Sequence, residues 1–259
     1  MDQIIRMNTR LYQDMLQAKQ DGKKKFAVLI DPDKLRLDAY DEIVSRAIEH
    51  KVDYFFIGGS LIVNDVLDNV LVSIREKCDI PLILFPGNSY QLSYRADGIL
   101  FLSLISGRNA DLLIGKHVIA APFLKLSPLE VLPTGYMLID GGRPTTVSYM
   151  SNTIPIPSNK NDIALTTALA GQYLGLKLIF MDAGSGADIP VSAAMIKAVS
   201  STIDIPLIVG GGIKTPENIE ENLEAGADLI VIGDAIEKNA TLLPEFAKVF
   251  HRFNSKKQV

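Results

Sequence analysis

Two kinds of residue in this 259-residue chain are placed to do chemistry: oxygen donors that end some apolar runs, and glycine clusters that end others. "LIDPDK" sets Asp31 and Asp33 two positions apart after one run, and "FFIGGS" ends the next in the Ser60 hydroxyl. Hard oxygen donors of this kind suit Mg2+, which keeps several waters and bridges to substrate phosphates. An Asp-Pro-Asp is equally a turn and helix cap, so the spacing alone leaves both readings open. Later in the chain, "IFMDAGSGADIP" puts Asp182 directly before Ala183, Gly184, Ser185 and Gly186. "VGGGIKTPE" carries Gly211 and Gly212, and "VIGDAIE" carries Gly233 and Asp234. Glycines allow close backbone approach, and free N–H groups before a helix attract an anion. Tight turns alone would also use glycine, but three successive loops of one pattern point to a small phosphorylated ligand.

The elements that must position these residues are short, β-branched and apolar. Eight such runs occur: 26–31, 53–60, 81–87, 97–103, 135–140, 177–186, 206–212 and 228–234. Most are separated by amphipathic helical patterns such as "LRLDAYDEIVSRAIEH" and "PENIEENLEAGA". Continuous apolar strands alternating with helices indicate a parallel sheet covered on its outer face. Eight units in one chain of this length predict a TIM-type (β/α)8 barrel, read as a single domain over 1–259. An extra helix at about 3–20 is expected to cover the barrel bottom. The stretch "NSYQLSYRADG" after the third strand leaves room for only one or two helical turns, so this shortened unit predicts a groove in the helical ring. With the apolar "ILFLSLISG" beside it, the groove suits a greasy substrate tail, although barrel packing explains the same residues. The Pro-rich loop at 141–160 is too long for a minimal connection, and long loops usually carry function.

In such barrels the chemistry gathers at the C-terminal strand ends, with phosphate most often on loops seven and eight. The carboxylate and hydroxyl of strands one and two would then face the glycines of strands six to eight across the barrel mouth. Two anionic substrates could meet between these poles.

Composition removes several other classes of function. Net charge of −4 argues against a nucleic-acid surface, and "DGKKKF" reads as a solvated turn. Cys78 is the only cysteine and reads as a buried structural thiol, while none of the three histidines follows an apolar strand. Cysteine cages and histidine acid–base chemistry are therefore not expected. No apolar run approaches the ~20 residues of a membrane span. The N-terminal stretch lacks secretory features, which reads as a cytoplasmic protein without a stable membrane anchor.

Taken together, "LIDPDK", "IGGS", "GRNADLLIGKH", "TALAGQYLG", "FMDAGSGAD", "VGGGIKTPE" and "VIGDAIE" resemble the geranylgeranylglyceryl phosphate synthase family, which includes bacterial heptaprenylglyceryl phosphate synthases. The resemblance runs through nearly the whole chain. The long 141–160 loop places it with the larger archaeal and Bacteroidetes-like members; shorter bacterial members carry Lys where this chain has Leu29. The resemblance implies a Mg2+-dependent prenyltransferase that moves a geranylgeranyl group from its diphosphate to the C3 hydroxyl of sn-glycerol 1-phosphate and releases pyrophosphate. It also implies a homo-oligomer, a dimer or hexamer, with transient contact at a membrane surface. By position, Asp31 and Ser60 would hold Mg2+. Phe180, Met181, Asp182, Ala183, Gly184, Ser185, Gly186, Gly211, Gly212, Gly233 and Asp234 would bind glycerol phosphate, with Asp182 as the general base. The family usually has Glu at the position of Asp182 and Asn at that of Asp234. Gly184 to Gly186 would then hold the phosphate while Asp182 faces the alcohol. The alternative from another class is a barrel isomerase or lyase acting on a small phosphorylated metabolite, which would need neither metal nor trough.

Overall fold

The computed structural model describes residues 9–33, 37–62, 64 and 66–256. Its centre is a closed barrel of eight parallel strands in sequence order: β1 (Lys25–Ile30), β2 (Tyr54–Ile57), β3 (Leu82–Leu84), β4 (Gly98–Leu104), β5 (Glu130–Leu138), β6 (Leu178–Asp182), β7 (Leu207–Gly210) and β8 (Leu229–Ile232). β1 pairs β8 and closes the ring. Around it, in chain order, lie α1 (Arg10–Gln20), α2 (Leu37–Glu49), α3 (Leu67–Arg75), α4 (Lys116–Lys125), α5 (Thr146–Ser151), α6 (Asn161–Tyr173), α7 (Ala193–Ser200), α8 (Pro216–Glu224), α9 (Asp234–Lys238) and α10 (Leu243–Lys256).

Strand periodicity divides the core in two. Ala27, Leu100, Leu178, Phe180 and Ile208 fill the barrel, whereas Val28, Ile99, Ile179, Met181 and Val209 pack outward under the helices. Both faces are covered, which explains the unbroken apolar runs. α2 meets the outer layer through Tyr40, Ile43, Val44 and Ala47, the spacing of one helical face. α1 plugs the bottom as expected, with Leu11 and Met15 inserted among the barrel-filling side chains. Buried Glu130 accepts hydrogen bonds from Leu11 N (2.6 Å) and Tyr12 N (2.8 Å), so a carboxylate caps the positive end of α1. The part of the expected helix before residue 9 lies outside the described residues.

Several expectations are corrected. The basic cluster is a solvated turn only as far as Lys23, which is exposed beside the turn at 21–22. Lys24 is buried and pairs with Asp228 at 3.3 Å, and Lys25 bridges Asp14 and Asp53, each at 3.1 Å, beneath the barrel. Cys78 is half-buried, with Sγ 3.7 Å from the Ile74 carbonyl. β5 begins at Glu130, ahead of the run at 135–140, because Gly98 to Leu104 pair with every residue from Glu130 to Tyr136. The expected last helix is broken at Asn239, whose extended backbone and side chain cap a 3-10 turn before α10. The third unit is shortened completely: β3 and β4 are joined by turns with no helix. The helix α4, which carries no clear amphipathic pattern, follows β4 through a π-helical turn at Asp111–Gly115.

Candidate active site

The mouth of the barrel holds two constructions joined at one tyrosine. The first is the loop cluster after β6, β7 and β8. Phe180 and Asp182 point into the barrel by strand parity, whereas Met181 points into the outer layer and offers only its backbone to the mouth. Asp182 is buried with both carboxylate oxygens engaged: Oδ2 accepts from Tyr136 Oη at 2.5 Å, and Oδ1 accepts from Gly184 N at 2.7 Å. Burial pushes its pKa above the usual carboxylate value, against the opposing pull of those two donors. Burial, followed by the adjacent carboxylate, raises the Tyr136 phenol well above its ordinary value.

The tight packing around Asp182 explains two glycines. A β-carbon on Gly211, at φ +81°, would sit 2.4 Å from Asp182 Oδ1, and one on Gly184, at φ +89°, would meet the Thr145 side chain at 2.8 Å. The Gly184 N–H therefore serves the carboxylate, which corrects its expected place among the phosphate donors. Among the described residues, the N–H groups of Gly186, Gly211 and Gly212 take no part in the main-chain bonds that hold these loops. Gly233 leads into α9, where Asp234 pairs with Lys238 at 2.8 Å. That pairing turns the extra charge of Asp234 toward a cation.

The long 141–160 loop seats this cluster. Asp188 N and Ile189 N donate to the Gly141 carbonyl at 3.0 and 3.1 Å, and the Arg143 guanidinium donates to the Gly186 carbonyl beside Asp188. A capping box at Thr145 and Ser148 fixes the start of α5.

The second construction opens where the third helix is missing. A cavity of about 200 Å3 is bounded by Phe85, Leu92, Phe101, Ala120, Tyr136 and Val147, with Gly59, Ser60, Gly87 and Asn88 at its polar edge. Buried Gln91 stitches the loops after β2 and β3 together, accepting from Gly87 N (3.0 Å) and donating to the Gly59 carbonyl (2.9 Å). Asp31 is buried at the end of β1, its N–H donated to Glu237 Oε1 at 2.9 Å and its Oδ1 accepting from Asp33 N at 3.1 Å. A β-carbon on Gly59 would fall 2.8 Å from Asp31 Oδ2, so loop two lies directly on that carboxylate, one residue before Ser60. The structure thus lays Gly59, the residue before Ser60, on Asp31, while Asp33 accepts from Asn64 N and Nδ2. No group of three or more His, Cys, Asp or Glu side chains suited to a metal occurs among the described residues. One carboxylate and one hydroxyl fit a hard cation that completes its shell with water and substrate oxygens.

Tyr136 belongs to both constructions. It lines the apolar cavity, its ring meets Phe85 and Phe180 at centroid distances of 6.0 and 5.5 Å, and its hydroxyl holds Asp182. With this geometry, comparison with known proteins is decisive. Residues 19–250 match the PcrB family. The chain belongs to that family. It is 52% identical to the geranylgeranylglyceryl phosphate synthase of Chitinophaga pinensis, over 95% of this chain and 97% of that one. It is 41% identical to the enzyme of the same name from Pyrococcus horikoshii, over 88% and 89%. Among solved structures, (S)-3-O-geranylgeranylglyceryl phosphate synthase from Thermoplasma acidophilum, in complex with its substrate sn-glycerol-1-phosphate, superposes with a TM-score of 0.86 at 33% identity, covering 96% of this chain and 99% of that one. Wild-type GGGPS from Thermoplasma volcanium gives 0.87 at 33%, over 95% and 98%.

Sequence reasoning missed Tyr136, Gln91, Lys116 and His117. Parity offered a signal for the first, because Tyr136 and Leu138 face inward beside Phe180 and Asp182. The others sit in segments whose structure the residue pattern does not declare.

Proposed function

We propose that this PcrB-family protein transfers a geranylgeranyl group from its diphosphate to the C3 hydroxyl of sn-glycerol 1-phosphate, releasing pyrophosphate. The observation that carries this reading is the double duty of Tyr136, which forms the wall of an apolar trough and also orients a buried carboxylate. A phosphorylated metabolite handled by an isomerase or lyase would have no use for that trough.

In this reading the loops after β6 to β8 hold the glycerol phosphate. The amides of Gly186, Gly211 and Gly212 face its phosphate, helped by Ser185, Gly233 and the backbone of Asp234. Phe180, Met181, Ala183 and Gly184 shape the pocket. Asp182 accepts a hydrogen bond from the C3 hydroxyl and takes its proton as the oxygen attacks. The new bond joins the glycerol O3 to the prenyl C1, the C1–O bond to the diphosphate breaks, and its electron pair leaves with pyrophosphate. A positioned base of this kind typically contributes ~10²–10⁴ in rate. Asp31 and Ser60 would hold Mg2+, which when bound supplies positive charge to the leaving diphosphate. The aromatic walls of Phe85, Tyr136 and Phe180 keep the reacting carbon away from bulk water.

The same reading expects a cytoplasmic homo-oligomer, a dimer or hexamer, that meets membranes only transiently to hand on its lipid product. Among the described residues no helix is long and apolar enough to cross a membrane.

The test offers the purified protein sn-glycerol 1-phosphate and a series of prenyl diphosphates with and without Mg2+, then identifies products by mass. A prenylglyceryl phosphate formed only with the metal, and best from the geranylgeranyl donor, is expected. Isomerisation or cleavage of the phosphorylated substrate without any prenyl product would instead establish the other class.

A further inference from the structure

We infer that Lys116 is the protein's own cation for the diphosphate of the prenyl donor, held at the top of the trough by an anchored His117; this rests on the prenyltransferase reading above. Lys116 is the only charged side chain among the described residues that line the cavity. It is half-buried, and its ammonium group enters no ion pair or hydrogen bond. Every other feature of that wall is apolar or neutral, so an anion arriving with the ligand would meet one positive charge there and no carboxylate on the same wall.

Position selects the anion. α4 follows β4 through the π-helical turn, so its first residues stand at the C-terminal end of the barrel, level with the loops after β2 and β3. Those loops contribute Gly59, Ser60, Gly87 and Asn88 to the same cavity, and Asp31 lies against Gly59. A multiply charged diphosphate at this edge would add to the negative charge of Asp31, and one bound divalent cation would offset that combined charge only in part. A second positive charge on the opposite wall completes the neutralisation.

His117, the next residue, ties the start of α4 to the end of β4. It is buried, with its ring edge-on to Phe101 at 4.4 Å and Nε2 3.1 Å from Ser103 Oγ, which also lies 3.2 Å from the Leu113 carbonyl. Burial holds its pKa below the ordinary imidazole value, against a weaker pull from the Leu102 backbone, so the ring stays neutral and adds no competing charge. Lys116 and His117, the first two residues of α4 after the π-helical turn, both line the cavity.

The experiment titrates inorganic pyrophosphate, with Mg2+ present, into the wild type and the variants Lys116→Met and Lys116→Arg by calorimetry. sn-Glycerol 1-phosphate is titrated in parallel. Lys116→Met keeps the stem and removes the charge. It is expected to weaken pyrophosphate binding and raise KM for the prenyl diphosphate by roughly ten- to a hundredfold, with glycerol phosphate binding within about twofold of wild type and with Lys116→Arg restoring most of the loss. Pyrophosphate affinity within about twofold of wild type in Lys116→Met would overturn the assignment, as would an equal loss for both ligands. Should the wild type yield no prenyl product, the prenyltransferase reading fails by itself, and the pyrophosphate titration still decides whether Lys116 binds the anion.

Discussion

The loop cluster after β6 to β8 and the trough between β3 and α4 solve opposite problems at one barrel mouth. The first is built from backbone, with positive-φ glycines and a carboxylate pinned from two sides. The second is built from absence, where a missing helix leaves apolar side chains around an open cavity. The loop cluster tolerates little change, because a β-carbon on each of its glycines would meet a neighbour within contact distance. The trough needs only greasy walls and correct width, so substitutions there should alter preference before they abolish binding. Tyr136 is where the two demands meet.

The sharpest break between the regions is Asp182→Asn. Turnover is expected to fall by ~10²–10⁴ while calorimetry still detects glycerol phosphate, since the amide keeps the shape, its oxygen can accept from Gly184 N, and its NH2 can donate to the Tyr136 hydroxyl. Turnover close to wild type would remove the base from the scheme. Next in size, Gly211→Ala forces a β-carbon against Asp182 Oδ1 in a backbone conformation that favours glycine. A stability loss of about 1–3 kcal/mol in urea unfolding is expected, together with weakened glycerol phosphate binding and little change in pyrophosphate binding. Smaller again, Ala120→Phe narrows the trough from α4. It should lower kcat/KM for the longest prenyl donors by roughly tenfold relative to short ones and leave glycerol phosphate affinity unchanged. Equal losses at both substrates would show that the regions are not separable.

Legibility in the sequence followed the same division. The backbone-built region was readable because glycine clusters and strand-end carboxylates are chemical signals in one dimension, and "FMDAGSGAD" and "VGGGIKTPE" sit in successive units. The loop after β3 leaves room for only one or two helical turns, so a gap in the helical ring was readable too. What fills its far wall was not. "LLIGKHVIAAPFLK" is apolar all round, with Val118, Ile119 and Phe123 exposed and Pro122 inside, so no amphipathic stripe marks α4. His117 and Lys116 were hidden with it. Tyr136 was hidden differently: it lies mid-strand in an apolar run, and only the register of β5 on β6, with Tyr136 beside Phe180 and Leu138 beside Asp182, carries its hydroxyl to the carboxylate. Lys24 and Lys25 misled because charge runs are usually solvated, whereas here Asp228, Asp14 and Asp53 come from other elements to meet them.

The central claim, that Asp182 is a base tuned by Tyr136, is tested most directly by the pH dependence of kcat in the wild type and in Tyr136→Phe. Asp182 must be ionised to take the proton, and its pKa is raised by burial while the Tyr136 hydrogen bond pulls it down. Activity should therefore fall with decreasing pH along a limb above the ordinary carboxylate range, and loss of the hydroxyl should move that limb to still higher pH. A limb that stays in place, or moves to lower pH, would contradict the account.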